Sequence, residues 1–151
     1  MADKNVSVLN DLIEVSRDGE EGFRKAAEDA KNPELKELFA SRSAEVGAAV
    51  RELQAQVVAL GGRPEESGSV AGALHRGWVS LRSAVADRDD LAILEETERG
   101  EDVAKKKYAD ALQEDDLSFE IRALIERQYQ GVLRNHDLIR DLRNRYRASS
   151  T

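Results

Sequence analysis

Five polar side chains sit on, or one row beside, stripes that are otherwise apolar: Glu20, Arg42, Glu45, Glu101 and Gln128. Carboxylates gathered inside a helical protein can do one of two things. Without a cation of their own they bind one, as in di-iron and di-manganese bundles, where two helices each give a Glu and two others each give Glu-x-x-His. With a guanidinium among them they form an ion-pair network instead, because its rigid fork of five N–H donors can bridge two carboxylates. This chain has both the acids and Arg42, and it has no Glu-x-x-His. Ala48 stands three residues after Glu45, Gly131 three after Gln128, and the two histidines, His75 and His136, follow Gly72 and Leu133 by three. The acids alone could still hold a hard cation loosely. The residue types therefore favour a buried Glu/Arg/Gln network without a cofactor and leave an iron or manganese site as the alternative.

The elements that must position these residues follow from the spacing of the apolar ones. Apolar positions recur every three and four residues, the seam of a helical bundle rather than the period of two of a strand. A first helix is predicted from about Ser7 to Ala30, with Leu9, Leu12, Ser16, Gly19, Phe23, Ala26 and Ala30 inward. It stops at Asn32-Pro33, where Asn can cap and Pro suits the first helical position. The second carries Leu35, Phe39, Arg42, Val46, Ala49, Leu53, Gln56 and Leu60 inward and ends at Gly61-Gly62-Arg63-Pro64. Next come a GRPEESGS stretch and a shorter predicted helix from about Ser69 to Ala86, together forming a crossover over 61–88. The third long helix starts near Asp89 with Leu94, Thr97, Glu101, Ala104, Tyr108 and Ala111 inward, and the fourth near Ser118 with Ile121, Ile125, Gln128, Val132, Asn135, Ile139, Leu142 and Tyr146. Two helical hairpins joined by one long connection make an all-α, ferritin-like antiparallel four-helix bundle.

Helices rise about 1.5 Å per residue, so residue counts become heights. Counted from the helix ends, Glu20, Glu45, Glu101 and Gln128 fall within one or two turns of one plane, and Arg42 lies one turn from Glu45 and level with Glu20.

Composition narrows the function classes. The 151 residues suit a single domain over 1–151, with 1–6 and 148–151 frayed. A net charge of -7 argues against nonspecific binding to nucleic acid or an anionic membrane face. No apolar run reaches the roughly 20 residues that span a bilayer, and MADKNVSVLND lacks the basic start and apolar core of a signal peptide, so a cytoplasmic location is expected. The absence of cysteine excludes disulfides, thiol nucleophiles and thiolate-bound metals. No glycine-rich phosphate loop or serine-hydrolase elbow occurs, and paired acids pointing into a seam do not line the open cleft that a hydrolase needs.

His136, one row off its stripe, reads as structural. His75 lies beside Trp78 on the crossover among Gly68, Gly72 and Gly77, a spacing that would let this helix lie close on the bundle or on a second subunit, with Trp78 as anchor. A homodimer is the partner this suggests. The arginines of the last third have local partners, with Asp137 set against Arg140 and Asp141 against Arg145.

Three stretches carry a resemblance to a known family: VSVLNDLIEVSRDGEEGF near the start, GSVAGALHRGWVSLRSAVADRDDLAILEETERGEDVAKKKYADAL, and ERQYQGVLRNHDLIRDLR near the end. Over about residues 5–145 the chain resembles the bacterial domain of unknown function 2383 family, whose members are described as four-helix-bundle proteins grouped with the ferritin-like fold. The resemblance implies that architecture and no reaction. Its ferritin-like side would place metal ligands at Glu20, Glu45 and Glu101, while Gln128 and the missing histidines depart from that pattern. The reading is thus a non-enzymatic helical-bundle protein, stress-associated and self-associating, with a buried Glu/Arg/Gln layer, and the alternative is a ferritin-like iron or manganese binder or oxidase with a degenerate site.

Overall fold

The computed structural model describes residues 2–66 and 89–149. Four helices account for nearly all of them: α1 (Ala2–Asp29), α2 (Pro33–Ala59), α3 (Asp90–Leu112) and α4 (Phe119–Ser149). There is no strand among the described residues. The crossover helix predicted for about Ser69 to Ala86, with His75 and Trp78, falls outside the described residues.

The helix boundaries have local causes. Asn32 accepts a hydrogen bond from the Glu34 amide (2.9 Å) and Pro33 opens α2, as capping chemistry predicts. At its other end Gly61 takes φ 80°, so that the Gly61 and Gly62 amides reach back to Val58 O and Val57 O, each at 2.9 Å. This is the glycine-dependent closure that satisfies a helix's last carbonyls. Gly62 is also required by contact, since a Cβ there would lie 2.8 Å from a Val6 methyl. Asp89 caps α3 by accepting from the Leu91 amide (2.9 Å).

The same polar groups tie the helix ends together. The Asp90 carboxylate accepts from the Lys31 and Asn32 amides (2.8 and 3.0 Å), and Asn32 Nδ2 donates to the Tyr146 hydroxyl (2.7 Å). The start of α3 and the tail of α4 are thereby docked on the α1–α2 turn. At the opposite end Asn5 accepts from the Ser118 amide (3.1 Å), and Arg122 donates to Leu112 O (2.7 Å) and to Glu114 O. So α1 and α4 run one way and α2 and α3 the other, giving an antiparallel bundle. Packing is closest between α1 and α2, then between α3 and α4 and between α1 and α3; α2 and α4 are the most loosely packed of the neighbouring pairs.

The apolar stripes bury as two separate clusters. One, at the α3–α4 turn, is built on Leu9, Leu12, Ile13, Val50, Leu53, Val57, Ile121 and Ile125; the other, at the α1–α2 turn, on Phe23, Ala26, Leu35, Phe39, Ile93, Leu94 and Ile139. The stripe of α2 departs from the predicted one. Past Val46 it continues through Val50, Leu53 and Val57, leaving Ala49, Gln56 and Leu60 only half-buried. A straight helix drifts against a strict heptad, so the inward face moves by one residue within three turns. No described helix is long and apolar enough to cross a membrane.

Candidate functional site

Between the two clusters lies a band of buried polar residues: Ser16, Arg42, Glu101, Gln128 and Asn135. Each helix contributes, because the polar residues replace apolar ones on the inward stripes. Within the band two groups form, about two turns apart, since Glu101 and Tyr108 on α3 and Asn135 and Gln128 on α4 are each separated by a heptad.

The lower group is a closed chain of hydrogen bonds. The Tyr108 hydroxyl donates to Gln128 Oε1 (2.7 Å), and with its proton so used it is left to accept from Ser16 Oγ (3.3 Å). Gln128 Nε2 donates to Glu52 Oε1 (2.9 Å) and Ala49 O (3.3 Å), and Arg127 grips the same Glu52 carboxylate in a fork at 2.6 and 3.2 Å. Both exchanges cross from α4 to α2, the most loosely packed of the neighbouring helix pairs. Burial pushes the Tyr108 hydroxyl up to about 12, because the phenolate would lose its hydration. The Arg127 hydrogen bonds hold Glu52 below the usual carboxylate range.

The upper group is not closed. Glu101, 2% exposed, accepts from Asn135 Nδ2 (3.0 Å) through Oε1, and Arg42 Nε stands 3.5 Å from the same oxygen. That separation makes an ion pair rather than a hydrogen bond. Glu101 Oε2 and Arg42 Nε are buried without a hydrogen-bond partner. Arg42 is itself buried, its guanidinium carbon 6.0 Å from the centre of the Phe23 ring, which stacks in turn on Phe39. A cation over an aromatic face is attracted by the ring quadrupole, and this shelf keeps the arginine inside. Burial lifts the Glu101 carboxyl above the ordinary range, with Arg42 and the Asn135 hydrogen bond pulling in the opposite direction.

Two of the five sequence-predicted residues stand outside this arrangement. Glu45 is 64% exposed and reaches Arg42 only at 3.9 Å. Glu20 is 29% exposed, pairs with Arg17 (2.8 Å), and lies against Gly47 on the α1–α2 seam. Both were placed one row beside the stripe by spacing; at Glu45 that row turns outward, and at Glu20 it is only half-buried on the α1–α2 seam. The buried network is therefore Arg42, Glu101 and Asn135 with Gln128 below, and Glu20 and Glu45 do not belong to it. Glu20, Glu45 and Glu101 do not converge, and among the described residues no three His, Cys, Asp or Glu side chains are placed to hold a metal ion. The donor set that the ferritin-like resemblance implies does not fit iron or manganese.

Sequence reasoning missed two participants. Glu52 lies off the stripe of α2, and nothing in its spacing links it to Gln128. His136 is buried with Nε2 2.6 Å from Asp102 Oδ1 and Nδ1 3.4 Å from Asp137 Oδ1. The Asp102 partner comes from α3, and only the antiparallel register of α3 and α4 could have pointed to it. Of the predicted arginine pairs, Asp137–Arg140 forms (3.3 Å), whereas Asp141 is met by Arg140. Arg143 and Arg147 instead reach across to Glu98 and Glu95.

The two polar groups bound a cavity of about 520 Å³. Its walls include Val15, Val46, Ala104 and Val132, and Ala48 and Gly131 line it on the α2 and α4 sides. The small residues explain the space. Where larger side chains would close α2 on α4, these leave the seam open.

A family model described as a domain of unknown function, DUF2383, matches residues 4–114. No curated protein matches the chain.

Proposed function

The chain belongs to the DUF2383 family, and we propose that it is a non-enzymatic helical-bundle protein whose buried polar band sets helix register and partner choice without a metal. The observation that carries this reading is the place of Arg42. A guanidinium already stands 3.5 Å from Glu101, the most deeply buried acid among the described residues, so the cation of this layer is a side chain. A divalent ion brought to Glu101 would be repelled by that charge and would find neither Glu20 nor Glu45 within the band. Buried polar residues in helical seams are best attested as register devices. The crossing hydrogen bonds of Gln128 and Glu52 suit such a role, since a slip of either helix by one residue would break them.

The experiment is elemental analysis of protein purified from cells supplied with iron and manganese, combined with thermal unfolding with and without EDTA. Substoichiometric metal and an unchanged midpoint are expected. A stoichiometric transition metal that disappears in Glu101→Ala would overturn the reading.

A further inference from the structure

We propose that the cavity between the two polar groups is a binding site for a small uncharged molecule with an apolar body and a single hydroxyl or carbonyl oxygen, held by Arg42. This goes beyond the register role of the band and does not depend on it. Buried polar groups are nearly always hydrogen-bonded. Arg42 is a pronounced exception: buried, lining the cavity, and engaged by Glu101 and Glu45 only as ion pairs at 3.5 and 3.9 Å. Among the described residues its guanidinium makes no hydrogen bond within ordinary distance, and its Nε is buried without a partner. The unpartnered Nε belongs to a side chain that lines a volume large enough to hold an acceptor, and a buried guanidinium donor calls for one.

The charges select the class of acceptor. Arg42 and Glu101 balance one for one, as do Arg127 and Glu52 on the same lining, and Glu45 adds a negative charge. An anionic head would bring in a charge with no counter-ion to spare, and an ammonium would meet the guanidinium. A neutral oxygen takes the unused N–H groups and disturbs neither balance. The walls set the body, because Val15, Val46, Val132 and Ala104 offer hydrocarbon, with the Phe23 ring beneath the arginine. At about 520 Å³ the volume falls in the range of small-molecule pockets. Ala48 and Gly131, on the loosely packed α2–α4 seam, line the same cavity.

The test uses four probes that share one bicyclic body: naphthol, naphthalene, naphthoate and naphthylmethylamine, each measured by equilibrium dialysis against the full chain at neutral pH. One equivalent of naphthol is expected to bind, with the other three at least about tenfold weaker, the range of a charge-assisted hydrogen bond. Arg42→Met should bring naphthol down to the level of naphthalene. Because that variant disturbs a buried ion pair, Gly131→Leu provides a second test: a Cβ there meets nothing nearer than an Arg134 nitrogen at 3.7 Å, so the helix tolerates the side chain while the cavity fills. It should keep its helical circular dichroism and lose naphthol binding. The proposal is overturned if naphthol does not bind saturably, if naphthalene binds equally well, if either charged probe binds tightest, or if Gly131→Leu still binds naphthol.

Discussion

The two polar groups in this bundle are made from similar residues and differ in completeness. Around Tyr108 and Gln128 every donor has an acceptor, and the chain of bonds runs from Ser16 on α1 to Glu52 on α2. Around Arg42 and Glu101 one nitrogen and one oxygen are stranded. A satisfied network rigidifies and specifies a core, whereas an incomplete one carries the desolvation cost of its orphans. The lower group therefore reads as structure. The upper group reads as a place kept available.

The sharpest way to break the comparison is to remove Arg42. Arg42→Met leaves Glu101 buried without its counter-charge and should cost about 3–5 kcal/mol in urea unfolding. Arg42→Met with Glu101→Leu should recover most of that loss, because replacing a buried pair by hydrocarbon is often neutral or stabilising. A double variant as unstable as the single one would mean that the pair matters for more than its own charge balance.

The lower group should respond more mildly and in a different pH range. Tyr108→Phe strands Gln128 Oε1 and should cost about 1–2 kcal/mol near neutrality. In the wild type the Tyr108 hydroxyl is held at about 12, above the ordinary value near 10, so the native state keeps a proton that the unfolded chain gives up. Its contribution is complete below about pH 10 and is lost as the pH rises towards 12. Unfolding midpoints of wild type and Tyr108→Phe measured between these values should converge. Tyrosinate absorbance of the folded protein should show one tyrosine titrating later than the others. Parallel midpoints would detach the shift from this hydroxyl.

The two groups were not equally legible in the sequence. Arg42, Glu101, Gln128, Asn135 and Tyr108 could be placed inward because each replaces an apolar residue at heptad spacing, and a stripe reports which way a helix faces. Spacing says nothing about which side chains on different helices meet, so the bond from Gln128 to Glu52 and the pairing of His136 with Asp102 could not be read. The drift of α2 had a further consequence. Its inward face passes to Val50 and Val57, which turns Ala49 toward the α2–α4 seam and helps to open the cavity. The α2–α4 gap itself has only a compositional trace, the coincidence of Ala48, Ala49 and Gly131.

Glu45 sharpens the comparison at its weak end. It is as close in sequence to Arg42 as a helical partner can be, and spacing made it an equal of Glu101. Yet the Coulomb energy of a charge pair depends on the medium as much as on distance. Glu101 meets Arg42 with both side chains buried; Glu45 meets it at 3.9 Å with most of its side chain in solvent, where screening and side-chain entropy leave little. Glu45→Gln should therefore change the urea midpoint by an amount equivalent to less than about 0.5 kcal/mol, and adding salt should shrink even that. A loss approaching that of Arg42→Met would mean that the guanidinium is held from the solvent side, and the burial of Glu101 would then no longer distinguish the two acids.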